Sequence, residues 1–280
     1  MIFTKYDDLK PFGDETLEIL LENEVQNNLI ISFIKNERKA DTKDWLLASV
    51  KDESSGVLLT AACTPPFNVV LYETRNKPSD MALKLLAEEL KSLKFDLPGV
   101  IAEKNTAMRF AEQYAGAGKF SLHSSMNVMR LDEVNNVPKA PGSYRPLKED
   151  DLFYVPYWEH SFSEECKIEV HTLPEDVERV KQRIGKDTHF IWEDGIPVSQ
   201  AANTRNTENG GGISAVYTPP HYRGKGYASS LVAEGAKIIL RRGFKFCYLF
   251  ADAENPTSCG IYRRIGFYDI CEFSTLNFTK

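Results

Sequence analysis

The stretch Val216-Tyr217-Thr218-Pro219-Pro220-His221-Tyr222-Arg223-Gly224-Lys225-Gly226-Tyr227-Ala228 limits what this chain can fold into more than any other. The residues before it, Gly212 to Tyr217, read as a β-strand, and those after it, from about Gly226 to Arg242, read as a long helix. Two prolines stiffen the turn between them, and Gly224, Gly226 and Ala228 leave the backbone N–H groups uncovered. The first turn of a helix has unpaired amides and lies at the positive end of the helix dipole, and Arg223 and Lys225 add formal charge. Strand, small-residue loop and helix N-terminus in that order form a nest suited to a pyrophosphate.

Two other phosphate-binding loops do not fit. A G-x-x-x-x-G-K-[ST] loop fails at Gly118-Lys119-Phe120, which lacks the Ser/Thr and has Gln113 where the first glycine belongs. A dinucleotide G-x-G-x-x-G fails because Ser229 stands third after Gly224 and Gly226, with no suitable acidic residue ending a following strand.

At 280 residues the chain exceeds one core of ordinary size, so two domains are expected. The segment 134–143 (Val-Asn-Asn-Val-Pro-Lys-Ala-Pro-Gly-Ser) has turn formers, two prolines and no apolar periodicity, and reads as the linker. Residues 1–133 then form a mixed α/β domain. Helical spacing marks 15–35, Met81 to Leu93 and Asn105 to Tyr114, and strand candidates are Asp44 to Val50, Gly56 to Ala62, Phe67 to Tyr72 and His123 to Leu131. Residues 144–280 restart with a strand at Tyr144 to Leu147, a helix opening at Glu149-Asp150-Asp151, and a helix from Pro174 to Ile184. Strands at His189 to Trp192 and Pro197 to Asn203 follow, with Asn206 to Gly211 as a hairpin loop before the strand that enters the nest. A buried strand at Phe246 to Ala251, a short helix at Pro256 to Arg264 and a final strand at Phe267 to Phe278 complete an α/β (α+β) fold with a mixed sheet.

Arg223-Gly224-Lys225-Gly226-Tyr227-Ala228 resembles the R/Q-x-x-G-x-G/A signature of the GNAT superfamily, the coenzyme-A-dependent N-acyltransferases, in its expected place after a strand and opening a helix. Downstream, the segment from Asn255 through Tyr262 to Gly266-Phe267 resembles that family's N-x(6)-Y-x(3)-G-F segment. The resemblance covers residues 144–280 and is closest to two-domain predicted acetyltransferases whose C-terminal half carries the catalytic fold. It implies acetyl-CoA as co-substrate, no metal, and direct attack by a primary amine of a small molecule, peptide or protein.

By that resemblance the diphosphate sits on the amides of 223–228, and the pantetheine arm lies between diverging strands, pairing with the backbone near Val216. The implied cofactor-binding residues are Val216, Tyr217, Thr218, Arg223, Gly224, Lys225, Gly226, Tyr227, Ala228, Asn255 and Tyr262. Tyr262 is the implied proton donor to the departing thiolate, and Asn255 caps the short helix or contacts the pantetheine amide. Many relatives carry a basic carboxylate on the strand before the nest, but Gly212-Ile213-Ser214-Ala215-Val216 has none. Asp252 and Glu159 are the candidates, with Glu254 and His160 behind them. Residues 1–133 lack the signature and read as an α/β domain without a cofactor site, a diverged GNAT-like copy that would wall the acceptor cleft.

A net charge of −6 argues against nucleic acid as the main partner. No apolar run is long enough to span a membrane and no leader is visible, so a cytoplasmic protein is expected. The five cysteines are scattered and form no C-x-x-C pair, which argues against a zinc cage or disulfide framework and favours reduced thiols. Two other functions keep the nest: a non-catalytic acyl-CoA sensor, and a nucleotide-phosphate-binding protein of another class.

Overall fold

The computed structural model describes every residue except 37–40, 75–76, 169 and 280. In chain order the elements begin with β1 (Ile2–Lys5), α1 (Leu9–Leu21), α2 (Glu24–Asn36), β2 (Leu46–Lys51), β3 (Val57–Cys63) and β4 (Val69–Glu73). Next come α3 (Asp80–Ser92), β5 (Gly99–Glu103), α4 (Lys104–Tyr114) and β6 (Phe120–Leu131). Then follow β7 (Ser143–Pro146), a 3-10 turn at Glu149–Phe153, α5 (Val155–Glu165), α6 (Leu173–Lys181), β8 (His189–Asp194), β9 (Ile196–Thr204) and β10 (Gly210–Tyr217). The chain closes with α7 (Tyr227–Arg241), β11 (Phe246–Asp252), α8 (Pro256–Ile265) and β12 (Tyr268–Phe278). Two compact units result: Met1–Met129 with Phe250–Pro256 and Asp269–Lys280, and Arg130–Leu249 with Thr257–Tyr268.

In the first unit the strand order is β1-β2-β3-β4-β5-β12-β6. Its central strands β2, β3 and β4 are buried at all but one end position each because both faces are covered. Leu46, Ala48 and Val50 of β2 pack with Leu59 and Ala61 of β3, Val69 and Leu71 of β4, and Leu83, Leu86 and Phe110 of α3 and α4. The residues between them point the other way: Leu47, Ala62, Val70 and Tyr72 pack with Phe12, Leu20, Ile30 and Ile31 of α1 and α2. The period of two thus divides one hydrophobic strand between two cores.

In the second unit the order is β11-β10-β9-β8-β7. One face buries Ile191 and Tyr217 against Val155, Trp158 and Val180 of α5 and α6. The other receives α7, which packs on β8, β9 and β10. The two units share one plan, strand, two helices, three strands, helix, strand, helix. Both have antiparallel pairs followed by one parallel pair, β4 with β5 and β10 with β11.

The elements differ from the sequence expectation in a few places. Strands β1 and β5 lie outside the expected elements. The Glu149-Asp150-Asp151 opening forms a 3-10 turn, because Asp151 turns inward to accept two bonds from Arg145 and one from the Lys148 amide. Gly210 and Gly211, expected in a loop, already belong to β10. Residues 269–278, expected with the C-terminal domain, run antiparallel to β5 in the first unit, from Phe273 opposite Glu103 to Asn277 opposite Gly99. Periodicity shows that such a segment is a strand but does not name its neighbour. Among the described residues no helix is long and apolar enough to cross a membrane.

Candidate functional site

β10 has two different edges. Toward β11 its parallel register covers only Gly210, Gly211 and Gly212, opposite Phe246, Cys247 and Tyr248. Toward β9 the antiparallel register shifts between Ser214 and Tyr217, where Ala215 takes the left-handed conformation with φ +49°. Such a bulge bends a strand and leaves a residue unpaired. The close approach at its start requires glycine, because a Cβ on Gly212 would press into the Thr204 carbonyl and the Tyr248 ring.

Beyond the bulge the chain continues through Thr218 and a 3-10 turn at Pro220–Tyr222 to Arg223, which is extended. Gly224 and Gly226 then both take left-handed conformations, with φ +78° and +83°. A Cβ on Gly224 would meet nothing within 4 Å, and one on Gly226 only the Ala140 methyl at 3.7 Å. Backbone conformation demands these glycines, and the space over them is open. Helix α7 starts from Gly226 with no side-chain cap and no acidic residue in its first turn. Its leading amides therefore lack an acceptor from their own sequence.

The equivalent junction in the first unit is built the opposite way. There α3 is capped by Ser79, whose hydroxyl accepts from the Ala82 amide at 3.1 Å, and Asp80 lies in the first turn. The Glu73 carboxylate, at the end of β4, accepts from the Ser79 amide at 2.7 Å, the Thr106 hydroxyl at 2.9 Å and Arg109 Nη1 at 2.8 Å. An internal anion and a cap thus satisfy donors that α7 leaves available.

The structure brings Val216 through Ala228 together as one strand–loop–helix. Ser199 of β9 braces its start, lying 3.1 Å from the Tyr217 carbonyl and 2.8 Å from the Thr218 hydroxyl. Tyr227 turns inward, and its phenol donates to Asp194 at 2.6 Å. Lys225 is exposed and lies 5.8 Å from the Tyr222 ring centroid. Arg223 does not project freely: its Nε donates to the Thr218 carbonyl at 2.8 Å, and Nη2 lies 2.8 Å from each oxygen of Glu165. Sequence reasoning missed Glu165, Ser199 and Asp194, all of which are distant in the chain from the loop they hold.

Tyr262 lies on α8 in the second unit and is buried, edge-on to Phe267 at 5.9 Å. Its phenol makes no hydrogen bond among the described residues. Burial pushes its pKa well above the ordinary value, and the Cys259 and Cys166 thiols push the same way. It therefore remains a proton donor at neutral pH. Glu159 of α5 accepts from Gln200 Nε2 at 2.9 Å and pairs with Arg183 Nη1 at 3.1 Å. Gln200 in turn stands opposite Tyr217 across the β9–β10 ladder. Asp252 and Asn255 fall in the first unit; Asp252 is exposed and accepts from the Glu254 amide at 2.9 Å, and the Asn255 amide donates to the Asp252 carbonyl at 3.0 Å. His160 lies 3.6 Å from Asp176 and 3.8 Å from Glu164. Among the described residues no three His, Cys, Asp or Glu side chains are grouped to hold a metal.

This is the fold of the GNAT acetyltransferases. Residues 194–275, which include β10, the loop, α7 and Tyr262, match the family described as FR47-like protein, a GNAT-type domain. Among solved structures, a GCN5-related N-acetyltransferase from Sphaerobacter thermophilus superposes with a TM-score of 0.67 at 16% identity, covering 98% of this chain and 94% of that one. A GNAT-family acetyltransferase from Colwellia psychrerythraea gives 0.62 at 9% identity over 100% of both chains. A tandem GNAT protein from the clavulanic acid biosynthesis pathway gives 0.57 at 12%, over 98% and 97%. No curated protein matches the sequence.

Proposed function

We propose that this protein is an N-acetyltransferase that moves the acetyl group of acetyl-CoA to a primary amine. The observation that carries this reading is the start of α7: two left-handed glycines, an uncapped helix N-terminus and open space above, at the end of a bulged strand. Those residues fit a diphosphate, since anions are stabilised where helix amides and the positive dipole end converge.

The N–H groups from Gly224 to Ala228 would hold the phosphates, and the edge of β10 near Val216 would align the chain that follows them. When bound, acetyl-CoA supplies an acetyl group activated as a thioester. Tyr262 holds a proton at Oη for the departing sulfur. Of the two carboxylates considered for the amine, Asp252 is tied into its own turn. Glu159, held on α5 by Gln200 and Arg183, is the better choice for the group that meets the amine.

Calorimetric titration with acetyl-CoA, with ATP and NAD as controls, tests the reading. Saturable binding of acetyl-CoA alone, abolished by Gly226→Glu, is expected; tighter binding of ATP or NAD would overturn it. The engagement of Glu159 by Arg183 and Gln200 leaves room for a second reading, an acyl-CoA-binding protein without transfer activity. Tyr262→Phe separates the two: an enzyme loses turnover while retaining acetyl-CoA binding.

A further inference from the structure

Helix α5 ends at Glu165, which reaches the loop before α7 across 58 positions of sequence. Both of its oxygens lie 2.8 Å from Arg223 Nη2, and the Tyr217 phenol lies 3.4 Å from Oε1. The guanidinium is further fixed by the Thr218 carbonyl and stands 5.6 Å from the Tyr217 ring centroid. The carboxylate therefore occupies the cation at the mouth of the nest, where the formal charge would meet phosphate oxygens. Its Nη1 donors bond nothing among the described residues. Both side chains of the pair are 46% exposed. Ion pairs so exposed contribute little and exchange readily. A phosphate offers arginine a pair of acceptor oxygens that both ends of the guanidinium can meet, with more charge than a carboxylate.

We propose that Glu165 is an internal stand-in for a phosphate: it holds Arg223 in position and yields it when the diphosphate end of the ligand enters. This rests on the cofactor reading above and extends it, because the exchange loosens the end of α5, the helix that carries Glu159. The first unit has a more enclosed carboxylate at its equivalent junction, where part-buried Glu73 takes Arg109 and the Ser79 amide. Glu73 is 9% exposed at its side chain, against 46% for Glu165, so the second unit's carboxylate is the one that can be displaced.

The test is calorimetric titration with inorganic pyrophosphate and, separately, acetyl-CoA at low ionic strength. Glu165→Gln should tighten binding of pyrophosphate roughly two- to fivefold, with the gain shrinking as salt rises. Glu164→Gln removes the same charge one residue away, from a side chain that is 63% exposed and 3.8 Å from His160. It should give less than half of that gain. In an Arg223→Gln background the two variants should become equal. Equal gains in the wild-type background would overturn the proposal, since bulk charge would then explain them; weaker binding by Glu165→Gln would make Glu165 a brace and overturn it too. A gain for pyrophosphate without any acetyl-CoA binding would uphold the exchange and reject the cofactor reading. Should Glu165→Gln fail to fold, Glu165→Asp, which shortens the reach by one methylene, should show a gain in the same direction.

Discussion

His189 opens β8 with 1% of its surface exposed, and neither ring nitrogen reaches hydrogen-bond geometry with a partner among the described residues. Burial lowers its pKa from 6.5 to about 4; the nearby Glu159 charge opposes this and Arg183 reinforces it. The Gln200 amide beside the ring favours the charged form slightly, but no atom pair there is aligned well enough to count as a bond. Because the folded pKa is depressed, the unfolded chain binds the proton more readily, so stability rises with pH across this window. The full contribution is present above pH 6.5 and is lost as pH falls through 6.5 toward 4. Between pH 6.5 and 4.5 the loss from this one ring is about 2 kcal/mol. Urea unfolding followed by tryptophan fluorescence at half-unit pH steps would measure it, since Trp158 and Trp192 both lie in the second unit. In His189→Phe the slope over that window should fall to that of the remaining groups, whatever the change in absolute stability. An unchanged slope in the variant would refute the reasoning, because the depressed pKa could not then be the source of the acid sensitivity.

Three further outcomes follow from the packing. Asp151 is fully buried and takes both ends of the Arg145 guanidinium at 2.7 Å, so Asp151→Asn should destabilise the second unit by about 3 kcal/mol in urea unfolding. Gly212→Ala drives a methyl group into the Thr204 carbonyl and should lower stability by about 2 kcal/mol in the same assay. Ser79→Ala removes the α3 cap and should cost about 1 kcal/mol, with faster amide exchange at Ala82.

The strand–loop–helix of 216–228 was legible without coordinates because every determinant is local: strand residues, prolines, small residues at fixed offsets and a helical repeat. For the same reason the elements flanking it fall close to their expected bounds. The Asn255-to-Phe267 segment was equally readable, since its spacing lies within one short helix and its two ends.

What the sequence could not carry are pairings between distant segments. Nothing near Glu165 marks it as the partner of Arg223, and nothing near Gln200 marks it as the residue that orients Glu159. Position 269–278 reads as a strand in any context, yet its hydrogen bonds run to β5, more than 160 residues earlier. Likewise, both units begin a helix after their fourth strand. Only the folded structure shows that Glu73 closes one start and that the other is left open above two left-handed glycines. Local conformation is set by neighbours along the chain, so it can be read from them. The sign and accessibility of a site depend on which side chains the fold carries to it, and that is decided only when the sheets form.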